Sequence, residues 1–172
     1  MPDVLAPRLR VLFCGINPSL MSAAAGHHFA RPGNRFWPVL HESGFTPRLL
    51  RPEEEGELLA WGLGITNVVA RATARADELE AAEFRSGGRR LAQLASRYAP
   101  QRLAVVGVTA YRTAFGDRQA RVGPQERQIG GVPVWVLPNP SGLNAHWSLG
   151  GMATEFARLR EDVDREAADE AG

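Results

Sequence analysis

The sequence predicts an α/β fold: a three-layer αβα sandwich around a central, mostly parallel sheet of four to five strands. Three observations predict it. Four short apolar runs, near residues 10–15, 65–69, 102–107 and 133–137, read as buried strands. Helical segments alternate with them, as in parallel βαβ units whose helices cover both sheet faces. No linker, internal repeat or low-complexity stretch interrupts the 172 residues, so one domain spanning 1–172 is expected.

The first run, Val11-Leu12-Phe13-Cys14, meets Gly15 and then Ile16-Asn17-Pro18-Ser19. Gly15 permits an unusual φ or a close approach by another molecule. Pro18 fixes the loop and holds Asn17 extended. Asn17 then stands at the carboxyl end of a core strand, where open α/β sheets build their sites. Taken alone, the stretch reads more simply as a strand closed by an Asn-Pro turn.

Residues 16–34 form a long irregular segment containing His27, His28 and Phe29. Loops of that length in compact domains are usually functional. A helix follows over 34–43, with Phe36, Trp37, Val39 and Leu40 inward and Gly44 as its stop. Residues 51–61 read as another helix, with Pro52 and three acids in its first turn. The loop 70–76 carries Arg71 and Arg75. Asp77 with Glu80 reads as a capping pair opening a helix to about Tyr98, irregular at Gly87-Gly88. A short helix over 109–115 follows the third strand, and 116–127 reads as an exposed loop. The last helix spans about 148–164, and the acidic tail 161–172 is expected to fray.

Hydrophobic residues make up 44% of the chain and the mean hydropathy is −0.22, the balance of a soluble globular protein. No apolar run nears the roughly 20 residues that span a membrane, and residues 1–7 lack a signal peptide's apolar core. A cytoplasmic location is expected. The single cysteine, Cys14, excludes an internal disulfide and reads as a core group in a reducing compartment. The net charge of +1 is uneven: from Glu161 onward six acids face one arginine, a net −5 that leaves +6 elsewhere. All 20 basic residues are arginine. Arginine suits bidentate phosphate contacts, although genome base content produces the same bias. With no lysine, Schiff-base chemistry through a side-chain amine is excluded.

Two strands end alike, in Asn17-Pro18-Ser19 and Asn139-Pro140-Ser141. In a parallel sheet both ends share one edge, so two stiff amide-bearing loops face one cleft. The remaining inventory is thin. There is no phosphate loop closed by Lys-Ser/Thr and no Gly-x-Ser-x-Gly elbow. His27 and His28 lack the spaced partners of a metal site, and His41 and His146 read as surface or helix-edge residues. Neither a metal nor a cofactor is expected.

Three stretches in this order and spacing resemble the mismatch-specific uracil-DNA glycosylase family. They are Gly15-Ile16-Asn17-Pro18-Ser19, Arg31-Pro32-Gly33-Asn34-Arg35-Phe36-Trp37 and Asn139-Pro140-Ser141-Gly142-Leu143-Asn144. That family is related to thymine-DNA glycosylase and belongs to the uracil-DNA glycosylase superfamily. The resemblance covers about Leu5 to Leu159. It implies a uracil-DNA glycosylase-like sandwich that flips uracil, mispaired with guanine, out of double-stranded DNA. Ethenocytosine and other damaged pyrimidines are implied as further substrates.

The resemblance also implies roles for particular residues. Asn17 positions the water. Phe29 stacks on the flipped base, whose edge is read by main-chain groups around Ile16 and by Asn17 or nearby amides, Asn139 among them, with Ser22 contributing a hydroxyl. Leu143 wedges into the base stack, and the backbone of Gly142, Leu143 and Asn144 reads the unpaired guanine. Stronger relatives carry Asp and His where this chain has Asn17 and Asn139, which implies slower chemistry here. Asp77 then has two readings, a helix cap or the carboxylate that Asn17 cannot supply. Arg31, Arg35, Arg71, Arg75 and the region 112–127 are candidate phosphate contacts. A monomeric, monofunctional enzyme is expected. The rivals are a same-fold enzyme for single-stranded uracil or deaminated purines, a non-catalytic binder of mismatched DNA, and a nucleoside hydrolase.

Overall fold

The computed structural model of the chain describes residues 1–171. β1 (Val11–Gly15), β2 (Leu63–Asn67), β3 (Arg102–Val106) and β5 (Val132–Leu137) run parallel, and β4 (Gly123–Ile129) is an antiparallel edge. The five form one sheet in the order β2-β1-β3-β5-β4. Alternation along the strands divides two cores. Val11, Phe13, Ile65, Ala104 and Leu137 face one side, where they meet α2 (Phe36–Glu42) and α5 (Leu149–Ala171). Leu12, Cys14, Leu103, Val105 and Val136 face the other, against α3 (Ala81–Tyr98) and α4 (Val108–Phe115). The result is the expected three-layer α/β sandwich.

Several boundaries differ from the sequence reading, each for a physical reason. The polarity of residues 116–127 predicts a loop, but β4 occupies part of it; as an edge strand it exposes most of its side chains, and Pro124 sits where an edge tolerates it. The segment after Pro18 is not wholly irregular: Ser19 caps a short α1 (Leu20–Ala25), accepting from Ser22 N at 3.0 Å. Residues 52–61 form a 3-10 helix. α3 runs unbroken through Gly87 and Gly88, because both are contact points. A Cβ on Gly87 would stand 2.1 Å from the Val68 carbonyl oxygen, and one on Gly88 would stand 2.8 Å from that of Ala114. The acidic segment beyond Asp164 continues α5 to Ala171, where fraying was expected. Arg102 holds this helix to the sheet, reaching Asp162 at 3.1 Å and Glu166 at 2.5 Å.

The shift that matters most for function is in β2. It begins at Leu63 and ends at Asn67, two residues earlier than expected, which pairs Asn67 with Gly15 in register. No helix among the described residues is long and apolar enough to cross a membrane.

Candidate active site

A cleft of 640 Å³ opens at the carboxyl edge of the parallel strands. β2 and β3 flank β1 on opposite sides, so the cleft sits at the switch point of an open α/β sheet. Its walls are the loop after β1, residues 73–77 after β2, Gly107 after β3 and the loop after β5. The two Asn-Pro-Ser loops therefore share one cleft, although β3 lies between their strands.

Asn17 is held from one side. Its Nδ2 donates to the Arg71 carbonyl at 2.9 Å and to Thr73 Oγ1 at 2.8 Å. The Arg71 carbonyl can only accept, so the amide nitrogen must face it. Thr73 Oγ1 in turn donates to the Arg75 carbonyl at 2.7 Å, and Thr73 N donates to the Pro18 carbonyl at 3.2 Å. These bonds stitch the two loops together and leave Asn17 Oδ1 without a protein donor among the described residues. The Arg71 side chain is braced by Glu83 at 2.8 Å, and that hydrogen bond lowers the Glu83 carboxyl to about 2. The brace is thus fully ionised at neutral pH.

Asn139 is held in the opposite sense. Its Oδ1 accepts from Ser141 N at 3.0 Å, closing an Asx turn. A backbone N–H can only donate, so the oxygen is fixed there. Nδ2 then has no protein acceptor among the described residues.

The third amide, Asn67, carries no signal in the sequence alone. It is buried, and its Nδ2 faces His28 Nδ1 at 3.3 Å. Its Oδ1 lies over Gly15, where a Cβ would come within 2.7 Å of it and 3.2 Å of the Phe29 ring. Gly15 thus makes room for the protein's own groups, Asn67 and Phe29, rather than for an incoming molecule. The signal for Asn67 lay in register, since it is the β2 partner of Gly15.

Phe29 stacks on Phe36 with ring centroids 4.0 Å apart and 20° between planes, and its ring also lines the cleft. Its φ of +55° is left-handed, a conformation that costs an aromatic residue about 1–2 kcal/mol. Neighbouring bonds hold it there. Ala30 N donates to Ser22 Oγ at 3.0 Å, and His28 N donates to Glu55 Oε2 at 2.8 Å. Ser22 lines the cleft and also pins the loop, its oxygen accepting from Ala30 N and from Ser19 Oγ, each at 3.0 Å. The Ile16 carbonyl is likewise engaged, accepting from Val69 N at 2.9 Å.

The loop after β5 stands on Arg35. Its guanidinium donates to the carbonyls of Trp147 at 2.6 Å, Ser141 at 2.9 Å and Asn144 at 2.8 Å. On this pedestal Leu143 is 66% exposed at the cleft. Gly142 is small because a Cβ would stand 2.7 Å from the Gly33 carbonyl oxygen. The Asn144 side chain is committed to its own loop, donating to the Asn139 carbonyl at 3.0 Å and accepting from His146 N at 3.1 Å.

Asp77 lines the cleft as its only acidic side chain among the described residues. It does not cap α3: Glu83 accepts from Glu80 N at 2.9 Å, while Asp77 pairs with Arg75 at 3.1 Å and accepts no backbone N–H among the described residues. The cap reading of Asp77 is therefore corrected. The arginine expectations also narrow. Arg35 is the loop brace, Arg71 binds Glu83, Arg75 binds Asp77, and Arg112 and Arg127 donate to the carbonyls of Ala120 and Phe115. Arg31 lines the cleft with no partner among the described residues. Burial pushes the Cys14 thiol up, so it is an inert core group. No cluster of three or more metal-ligating side chains occurs among the described residues.

The chain matches the model of the family described as the Uracil DNA glycosylase superfamily over residues 2–164. Its structure is similar to the solution NMR structure of a Methanosarcina acetivorans protein proposed to be a uracil DNA glycosylase. The two share 19% identity with a TM-score of 0.63, over 92% of this chain and 96% of that one. At that identity the structural likeness speaks for the fold, and the family match speaks for descent. A cleft at the switch point and a family match over nearly the whole chain lead to one conclusion: the chain belongs to the uracil DNA glycosylase superfamily and is a DNA glycosylase.

Proposed function

We propose that this glycosylase hydrolyses the N-glycosidic bond of uracil mispaired with guanine in double-stranded DNA, leaving an abasic site. It acts as a monomer, without cofactor, in the cytoplasm on nucleoid DNA. The observation that carries the reading is the polarity of the three amides. Asn17 offers an acceptor, Asn67 an acceptor and Asn139 a donor, because the opposite end of each is committed to the protein. Uracil presents one ring N–H and two carbonyl oxygens. Asn67 Oδ1 suits the N3–H. Asn139 Nδ2 suits a carbonyl oxygen on which negative charge grows as the base departs. Asn17 Oδ1 suits a water proton.

In the reaction the C1′–N1 bond breaks with its electron pair leaving on the base, and water oxygen bonds to C1′. Asn17 orients that water but cannot take its proton, which leaves to solvent as the C1′–O bond forms and balances the charge of the departing uracil anion. The chemistry therefore leans on flipping, on stacking against Phe29 and on stabilising the departing base. Asp77, the cleft's acidic side chain, is assigned to steady the cationic sugar. Flipping costs a few kcal/mol, least for a mismatched base. Leu143 is the wedge that fills the vacated stack. The carbonyls of Gly142 and Leu143 accept from no donor among the described residues, which suits the N–H groups of an unpaired guanine. With no lysine, the abasic product stays uncut.

The test is single-turnover release from duplexes holding U·G, U·A, ethenocytosine·G or hypoxanthine, and from single-stranded uracil. Fastest release from U·G is expected. Equal release from all would favour the broader enzyme, and binding without release the non-catalytic reading. Asp77→Asn is expected to slow U·G release about tenfold, less than the loss of a buried electrostatic contact, because Asp77 is exposed and already paired with Arg75. Melting temperature should hold, because the exposed Arg75–Asp77 pair contributes at most about 1 kcal/mol. A wild-type rate would remove Asp77 from the mechanism.

A further inference from the structure

We infer that His28 is a positioning residue that decides which bases the pocket accepts, by fixing the amide of Asn67. The inference rests on the reading that Asn67 Oδ1 faces the flipped base. His28 Nε2 lies 2.8 Å from the Pro2 carbonyl, which can only accept, so Nε2 carries the ring proton. In a neutral imidazole Nδ1 is then an acceptor. Asn67, 3.3 Å away, must turn Nδ2 toward it and Oδ1 toward Gly15, on the side where Asn67 lines the cleft. The chain of obligation runs from a main-chain carbonyl through one tautomer to one amide orientation.

That orientation selects a chemical class. An acceptor at this point attracts bases with a protonated ring nitrogen on the Watson–Crick edge, such as uracil. It repels cytosine, whose N3 is a lone pair, and gives nothing to ethenocytosine, whose N3 is bridged. A buried amide free to rotate would discriminate neither. His28 is suited to the task because its ring is buried and its backbone is secured separately. Its N donates to Glu55 at 2.8 Å, and its carbonyl accepts from Trp37 Nε1 at 3.1 Å. Replacing the ring therefore releases Asn67 while those two anchors of the loop remain.

The test compares equilibrium binding of two duplexes. One holds 2′-fluoro-2′-deoxyuridine and the other 2′-fluoro-2′-deoxycytidine, each opposite a tetrahydrofuran abasic analogue, so that neither base loses a pairing partner on flipping. Wild type should bind the uridine duplex more tightly. His28→Phe should shrink that preference about ten- to a hundredfold, the worth of one or two buried hydrogen bonds. Weaker binding of both duplexes with an unchanged ratio would mean His28 is merely structural and would overturn the inference. So would a wild-type protein that does not distinguish them. Long-range 15N spectra of the unmodified protein provide a second readout independent of any variant: the Nε2–H tautomer is expected, and an Nδ1–H tautomer refutes the lock. If wild type prefers the uridine duplex but releases no uracil from U·G, the lock stands and the catalytic reading falls.

Discussion

Asn17→Ala is expected to slow single-turnover uracil release from a U·G duplex about 10²- to 10³-fold, the usual cost of losing a positioned polar group at the reacting centre. Binding to an abasic-site duplex should stay near wild type, because Leu143 and Arg31 lie on other parts of the cleft. The loop should persist as well. Thr73 N still reaches the Pro18 carbonyl, and Thr73 Oγ1 still reaches that of Arg75, after the Asn17 amide has gone. The stability loss should be about 1–3 kcal/mol, the net worth of the two hydrogen bonds that Asn17 gives up. Near-normal release by Asn17→Ala would remove it from the chemistry.

Gly15→Ala should be nearly as damaging, by a different route. The added methyl would meet Asn67 Oδ1 at 2.7 Å and the Phe29 ring at 3.2 Å. Neither group can retreat easily. Asn67 is held by His28 and by a hydrogen bond from Arg90 to its carbonyl, and Phe29 is stacked on Phe36. Overpacking of this kind costs about 1–3 kcal/mol of stability. Loss of base stacking costs about 1–3 kcal/mol more in substrate binding. The displaced stacking surface should lower U·G release by up to about 10²-fold, and the overpacking should appear separately as a measurable fall in melting temperature. A variant that melts early but excises normally would show that Asn67 and Phe29 do not form the base pocket.

Much of this arrangement was legible in the chain. Two Asn-Pro-Ser strand ends, one parallel edge and an apolar residue after Gly142 place Asn17, Asn139 and Leu143 around one cleft, and the structure puts them there. What was not legible depends on contacts distant in sequence. Asn67 became visible only through its register with Gly15 and its contact with His28, 39 residues away. Arg35 looked like a phosphate ligand because arginine suits phosphate; in fact three carbonyls of a loop more than 100 residues later occupy it. Asp77 matched a capping pattern, but α3 starts at Ala81 and Glu83 takes the capping bond. β4 was hidden because an exposed edge strand need not be apolar.

The central claim is that amide polarity, fixed by protein partners, makes this cleft a site for expelling an anionic base. Asn139→Asp tests it most directly. The substitution keeps shape and keeps the oxygen that accepts from Ser141 N, while turning the cleft-facing donor into a carboxylate oxygen. Single-turnover uracil release from a U·G duplex should then fall about 10²- to 10³-fold, as for a lost oxyanion donor, with little change in melting temperature. Release at the wild-type rate would contradict the claim.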